Sequence, residues 1–372
     1  VITGLGQGGA ENALFRLIKN QADPTKHQVV SLSGGGPVEI KLRSIGVEVK
    51  CLGMRPGKLP NLRNLVKLFQ IIKRSNASVV QTWMYHADLL GGIAARLAGA
   101  KVVWGIHHTN LDPQANKSTT LSVVRLNARL SKWIPHAIIS CSQKGVNIHR
   151  LLGYADKFFF VPNGVSLTEF KFQSNPESAR NSIKDINHLK SKRIIGHVSR
   201  ADPLKDHETL LRAFSQLMKQ QEDVALLLVG EGLTANSDYL EDLRKRVEPH
   251  ISANITALGP RTDVHSLMQA MDVFVLSSSG EAFPNVLIEA MASGTPCVVT
   301  DVGDAGKIVG DTGWVCPVAN SERIGYALHQ ALSESADEKI LRRKAACERV
   351  ESLFTTTHMV QGYQEVWSRV GK

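Results

Sequence analysis

Short apolar runs punctuate the first part of the chain at regular intervals. Val1–Leu5, His27–Leu32, Val47–Leu52, Val79–Thr82, Lys101–Ile106, Ala137–Cys141 and Phe158–Val161 read as strands. Helical patterns fill the gaps, among them Glu11–Asn20 and Leu62–Ser75. In the second, Leu62, Leu65, Val66, Leu68, Phe69 and Ile72 recur with a period of about 3.6. Strands alternating with helices predict right-handed crossovers and a parallel sheet.

The rhythm breaks over residues 171–192, which are polar and weakly periodic, and then restarts. Arg193–Val198, Val224–Val229, Asn254–Ala257, Val273–Leu276, Pro296–Thr300 and Gly313–Val315 read as strands, with helices beginning near Asp206, Asp238, Asp263 and Pro284. The expected fold is α/β, with two doubly wound, Rossmann-like parallel-sheet domains over residues 1–165 and 166–354. The final segment, 355–372, is amphipathic through Met359, Val360, Tyr363, Val366, Trp367 and Val370. It is expected to pack back on the first domain.

Composition supports this outline. A chain of 372 residues with 43% hydrophobic and 21% charged residues suits two soluble globular domains. No run approaches the roughly 18 to 20 apolar residues that span a bilayer, and no secretory signal is visible. Val1 lies inside an apolar run, so a Met and the start of a first strand are expected upstream. Five scattered cysteines without a Cys-x-x-Cys pair point to reduced thiols in a cytoplasmic protein, not to zinc or disulfides.

Charge is distributed unevenly. Residues 1–165 hold 21 Lys and Arg against 7 Asp and Glu, whereas the remainder holds 23 against 27. All of the net +10 therefore belongs to the first domain. Such a field attracts nucleic acid, phospholipid headgroups or phosphorylated acceptors, or simply keeps the surface soluble. No interleaving of aromatic and basic residues supports nucleic acid. An anionic membrane surface, met peripherally on its cytoplasmic face, is the favoured partner.

Five segments carry candidate chemistry. Gly4-Leu5-Gly6-Gln7-Gly8-Gly9 matches G-x-G-x-x-G between a strand and a helix. The second strand, however, ends Ser31-Leu32-Ser33-Gly34, without the acid that a dinucleotide ribose requires. What survives is a close backbone approach to an anion at Gly8-Gly9, or a plain tight turn. Trp104-Gly105-Ile106-His107-His108 puts two histidines at a strand tip, one to face a ligand and one to pack. His86 is a weaker candidate. Phe158-Phe159-Phe160-Val161-Pro162-Asn163-Gly164-Val165 is a strand and turn where the domains join.

The other two segments lie in the second domain. Ser199-Arg200-Ala201-Asp202-Pro203-Leu204-Lys205-Asp206 follows its first strand, so Arg200 and Lys205 can converge on one diphosphate. In Ser277-Ser278-Ser279-Gly280-Glu281-Ala282-Phe283-Pro284-Asn285-Val286-Leu287-Ile288-Glu289, Pro284 suits a first helical turn. The amides of Phe283, Asn285 and Val286 then face outward at the positive helix end. Glu281 and Glu289 are placed to accept hydroxyls of a sugar's diol.

Together these residues resemble the retaining glycosyltransferase family 4, whose two-Rossmann-domain fold is called GT-B and places a cleft between the domains. The resemblance covers nearly the whole chain. It rests on Gly8-Gly9-Ala10-Glu11, Val161-Pro162-Asn163-Gly164-Val165, Arg200 with Lys205, Leu258-Gly259 with Arg261 and Asp263, and Glu281-Ala282-Phe283-Pro284-Asn285 with Glu289 and the run on to Pro296. It implies transfer of a hexose or N-acetylhexosamine from a nucleotide sugar, UDP-linked on family frequency, to a glycan or lipid-linked acceptor.

The resemblance also implies roles. Arg200 and Lys205 neutralise the leaving diphosphate. Glu281 binds the donor sugar and Glu289 the ribose. The Arg261 region holds the base, His107 contacts sugar or phosphate, and Gly8-Gly9 line the acceptor side. No cofactor is expected, and the absence of Asp-x-Asp argues against a metal clamp. Ser199, Asp206, Asp304 and Lys307 depart from residues frequent in the family, the first two standing in place of glycine. A UDP-sugar epimerase of the same fold and an NAD-dependent oxidoreductase are the alternatives.

Overall fold

A computed structural model describes residues 1–55, 62–113, 116–172 and 176–372. They form two compact units, one of Val1–Gly164 with Thr356–Lys372, the other of Val165–Thr355. Among the described residues no helix is long and apolar enough to cross a membrane.

The first unit has strands β1 (Gln28–Ser31), β2 (Glu48–Cys51), β3 (Val79–Gln81), β4 (Lys101–Ile106), β5 (Ala137–Ser140) and β6 (Phe158–Phe160). Its helices are α1 (Gly9–Lys19), α2 (Pro37–Ser44), α3 (Leu62–Ser75), α4 (Tyr85–Leu97), α5 (Ser118–Leu130) and α6 (Gln143–Leu151). Every pairing is parallel: β2 with β1, and β3-β4-β5-β6 in order. The expected first strand, Val1–Leu5, contracts to a single bridging residue. Ile2 pairs with both Ser31 and Trp83 and so joins the two sheets into one layer. The chain leaves the ladder after Thr3, whose carbonyl still accepts from the Ser33 N–H, and enters the glycine run.

Residues alternate between the two faces of this layer, as a pleated strand requires. On β4, Val102, Trp104 and Ile106 face α3, α4 and α5, while Val103 faces the opposite core. There Leu14, Leu17, Val38 and Leu42 of α1 and α2 meet Met359, Val360, Tyr363 and Val366 of the chain's last helix, Thr356–Gly371.

The second unit orders its strands β12-β11-β10-β7-β8-β9, all parallel, over β7 (Arg193–Val198), β8 (Val224–Val229), β9 (Ile255–Ala257), β10 (Val273–Leu276), β11 (Cys297–Thr300) and β12 (Trp314–Cys316). Its helices are α7 (Pro176–Ser182), α8 (His207–Met218), α9 (Asp238–Arg244), α10 (Pro249–Ser252), α11 (Val264–Ala270), α12 (Asn285–Ala292), α13 (Ala305–Val309), α14 (Ser321–Ser333) and α15 (Ala336–Leu353); the last helix of the chain is α16. The order departs in both directions from β7, the dinucleotide-fold arrangement whose direction reverses between the first strand and its neighbour on the far side. Here that point lies between β7 and β10.

The polar break expected at 171–192 is structured where it is described. Helix α7 and a 3₁₀ turn, Lys184–Leu189, bury Ala179, Ile183, Ile186 and Leu189. Arg180 is buried too, donating to the Ala270 carbonyl at 2.8 Å and pairing with Asp272. Its charge hid the segment from a reading based on apolar periodicity.

Candidate active site

Loops beyond the carboxyl ends of β7 and β10 meet at the point where the second sheet reverses, which is where ligands sit in such sheets. The β7 loop runs from Ser199 through a 3₁₀ turn, Pro203–Lys205, to Asp206. Asp202 caps that turn on the Leu204 N–H at 2.9 Å. Asp206 has φ +50° and caps α8 on the Thr209 N–H. An αL residue of this kind is commonly Asn, Asp or Gly, and Asp206 fits that short list.

Serines of the β10 loop staple it to the β7 loop. The Ser277 hydroxyl donates to the Lys205 carbonyl at 2.8 Å, and the Ser279 N–H donates to the Leu204 carbonyl at 2.8 Å. Lys205 Nζ lies 2.5 Å from Glu281 Oε1, and the Ser278 hydroxyl donates to the same oxygen at 2.9 Å. Both side chains are largely shielded, 19% and 13% exposed, so this ion pair is not a solvated surface contact. Arg200 differs: it forks onto Asp202 Oδ2 at 2.9 and 2.7 Å and is 57% exposed.

Helix α12 begins at Asn285, one residue later than expected, with Pro284 as its extended N-cap. Phe283 is buried and packs edge-on against Phe354, ring centroids 5.8 Å apart. Asn285 and Val286 open the helix and are half-buried. Glu289 lies one turn inside and is buried. Arg261 lies elsewhere in this unit, after β9, with two bonds to Asp263 at 2.8 and 2.7 Å and a third to Asp185 at 2.7 Å. Those carboxylates hold its guanidinium protonated well beyond the usual range.

Three glycines that sequence reasoning passed over shape these loops. Gly303, at φ +56°, turns beneath the β10 loop, where a Cβ would stand 2.5 Å from the Glu281 carbonyl oxygen. The adjacent Asp304 N–H donates to the Ala282 carbonyl at 3.1 Å. Gly230, at φ +140°, leaves no room for a Cβ beside the Ser199 carbonyl, and a Cβ on Gly232, at φ +77°, would stand 2.7 Å from that of Ala201. The signal was available: Gly230-Glu231-Gly232 follows directly on an apolar strand.

In the first unit the glycine run becomes the start of α1, with Gly8 as N-cap and Gly9 as first residue. Glu11 folds back over this loop, close enough that a Cβ on Gly8 would stand 2.3 Å from its carboxylate. His107 and His108 separate clearly. The His107 ring stacks on Trp83 at 4.4 Å and 9°, and Trp83 stacks in turn on Tyr363. Both His107 nitrogens are shielded from solvent without a hydrogen-bond partner among the described residues, and burial lowers its pKa to about 3. His108 instead contacts Asn116 at 3.2 Å. His86 lies in the first turn of α4, half-buried. Nearby, burial raises the Asp88 carboxyl to about 8 against hydrogen bonds from Thr82 and the Gly105 N–H.

Two parallel-sheet α/β domains, the second with a cation–carboxylate pair at its reversal point, are those of the GT-B fold. The Anabaena protein HepE, solved in complex with UDP-glucose, superposes with a TM-score of 0.84 at 22% identity, over 99% of this chain and 98% of that one. The family model described as Glycosyltransferase Family 4 matches residues 7–169, and the one described as Glycosyl transferases group 1 matches 192–334. The chain belongs to glycosyltransferase family 4. It is 28% identical to EpsF of Bacillus subtilis over 81% of this chain and 78% of that protein. It is 26% identical to the Escherichia coli UDP-Gal:α-D-GlcNAc-diphosphoundecaprenol α-1,3-galactosyltransferase, over 68% of this chain and 65% of that enzyme.

Proposed function

We propose that the enzyme transfers a hexose or N-acetylhexosamine from a UDP-sugar, with retention, to a glycan or lipid-linked acceptor in cell-surface polysaccharide or glycolipid synthesis. The observation that carries this reading is the shielded Lys205–Glu281 pair at the β7/β10 reversal point. A cation and a sugar-binding carboxylate held this close suit a donor whose phosphate and sugar are adjacent. UDP-glucose in HepE and UDP-galactose in the name of the Escherichia coli relative support the choice of nucleotide. The diphosphoundecaprenol of that relative supports a lipid-linked acceptor.

In this reading Arg200 and Lys205 neutralise the departing diphosphate, aided by the amides of Phe283, Asn285 and Val286 at the start of α12. Glu281 takes the sugar hydroxyls, Glu289 the ribose, and Arg261 lies on the side of the base. His107 contacts the sugar or its phosphate as a neutral imidazole, and Gly8-Gly9 line the acceptor side. The bond from the anomeric carbon to the phosphate oxygen breaks. The acceptor oxygen bonds to the same face of that carbon and passes its proton to the departing phosphate. Neither a metal nor another cofactor is required. A thermal-shift screen should show UDP-sugars stabilising the protein more than GDP- or ADP-sugars, and NMR of the product should show the donor's anomeric configuration kept. Larger shifts with another nucleotide would remove the UDP assignment, and an inverted centre would remove the mechanism.

The same reading places the protein on the cytoplasmic face of a membrane. Residues 62–134 hold ten Lys and Arg and two acids, one of which, Asp88, is buried. Helices α3, α4 and α5 lie side by side across this region and expose Leu62, Val66, Leu97, Leu126 and, just beyond α5, Trp133. Apolar side chains set among cations suit an anionic lipid surface. Vesicles containing phosphatidylglycerol should sediment the protein at low salt, and Arg125→Glu with Arg129→Glu should release it. Equal sedimentation with pure phosphatidylcholine would remove the electrostatic part of the proposal.

A further inference from the structure

Behind the β7 loop lies a row of polar groups to which the reaction as described gives no task. His197, in β7, and His207, the first residue of α8, are both buried, and their rings meet edge to face at 4.9 Å. Ser199 Oγ lies 2.9 Å from His197 Nε2 and 3.0 Å from His207 Nε2. His197 Nδ1 lies 2.9 Å from the Val275 carbonyl oxygen of β10, and His207 Nδ1 lies 2.9 Å from the Tyr239 hydroxyl of α9. Burial above all holds His197 well below the usual histidine range; burial, with the Lys205 charge, lowers His207 to about 4. Both rings are therefore neutral near pH 7.

Neutrality fixes the His197 tautomer. The Val275 carbonyl can only accept, so His197 carries its proton on Nδ1 and its Nε2 is an acceptor. The Ser199 hydroxyl has one proton and two acceptors within reach, His197 Nε2 at 2.9 Å and the Arg200 carbonyl at 3.0 Å. With either choice its oxygen accepts from His207 Nε2–H, and His207 Nδ1 then accepts from the Tyr239 hydroxyl.

The row has a specific place in the chain. Ser199 immediately precedes Arg200, and His207 immediately follows Asp206, so the Ser199–His207 bond closes the cation-bearing loop at its two ends. The Val275 end ties the loop to β10, whose own loop carries Glu281. We infer that Tyr239, His207, Ser199 and His197 form a hydrogen-bonded clasp that positions Arg200 and Lys205 for the diphosphate. The inference rests on the reading of those two cations as diphosphate ligands.

Calorimetry on the full chain with UDP and with uridine tests the clasp, because only UDP engages the two cations. Ser199→Ala and His207→Leu should lose about tenfold in UDP affinity while uridine affinity stays unchanged. His207→Gln, whose amide can replace the Nε2–H donor, should recover most of the loss. A merely structural role would weaken both ligands together or neither, and that result would overturn the clasp. Lys205→Ala is the control. If it too leaves the preference for UDP over uridine intact, the diphosphate reading has failed; if it removes the preference while Ser199→Ala does not, the clasp alone has failed.

Discussion

Glu281 precedes the helix start and Glu289 lies one turn inside it, so α12 gives the two carboxylates different surroundings. Glu281 shares one oxygen between Lys205 and Ser278. Removing Lys205 therefore deprives the carboxylate of its partner charge and, in the proposed reading, the leaving group as well. Lys205→Ala should lower kcat by about a hundredfold, roughly 3 kcal/mol of barrier, in a steady-state assay with the preferred donor; a loss under tenfold would show that the lysine does not face developing charge. Gly303→Ala should cost activity through geometry alone. Its Cβ would collide with the Glu281 and Ala282 carbonyls, and its φ of +56° resists a side chain. The expected result is a kcat reduced at least about tenfold with Glu281 itself intact, and an unchanged kcat would show that the loop yields freely. Residue types and order made Arg200, Lys205, Glu281 and Glu289 legible as candidates before any coordinates, and the structure brings Lys205 and Glu281 together. The partners of these residues were not, because Ser278, Gly303 and the two buried histidines act through distances that spacing along the chain does not encode.

At the scale of elements, strand edges followed apolar runs closely where both faces of the strand are buried. Lys101–Ile106, Arg193–Val198, Val224–Val229 and Val273–Leu276 form as their runs suggest. The misses have local causes. The first run, Val1–Leu5, bridges only at Ile2 because its chain turns early into glycines that start α1. Helix α7 escaped because its buried anchor is Arg180, whose charge is compensated by Asp272 and a carbonyl. Helix α16 contributes Tyr363, fully buried and stacked on Trp83, which in turn carries His107. Tyr363→Ala should therefore destabilise the protein by about 3 to 5 kcal/mol in denaturant titration. It should also lower activity in the fraction that stays folded, since the stack beneath His107 loses its base. Stability lost with full specific activity would show that the stack supports only the core.

At the scale of the molecule, the alternation of strands and helices announced two parallel-sheet domains, and the comparisons bear out the GT-B fold. The order β12-β11-β10-β7-β8-β9 was not legible, since long-range strand order leaves no local trace, yet that order is what brings the β7 and β10 loops together. Burial of ionisable groups also gives the whole chain a pH dependence. His107, His149 and His207 have pKa values of about 3, 4 and 4, and His197 lies well below the usual value, burial being the first cause in each. Their folded values lie below the unfolded value of about 6.5, so the unfolded chain holds more protons between about pH 6.5 and 4. Stability should fall as pH drops through that window, by up to about 1.4 kcal/mol per pH unit for each histidine. Asp88 opposes this: its pKa is raised to about 8, so its contribution is full at low pH and fades as pH rises toward 8. Thermal unfolding should show a clear drop in Tm from pH 7 to pH 5, and a flat profile would contradict the neutral, buried state of these rings.

The account stands most directly on where the donor nucleotide binds. Calorimetric titration of UDP into the wild-type protein, Glu289→Ala, Glu281→Ala and Lys205→Ala measures this without knowledge of the acceptor. Glu289→Ala and Lys205→Ala should each weaken UDP by about tenfold or more, roughly 1.4 kcal/mol, while Glu281→Ala, assigned to the sugar in the proposed reading, should stay within about threefold. Equal losses from Glu281→Ala and Glu289→Ala, or UDP binding indifferent to all three changes, would contradict it.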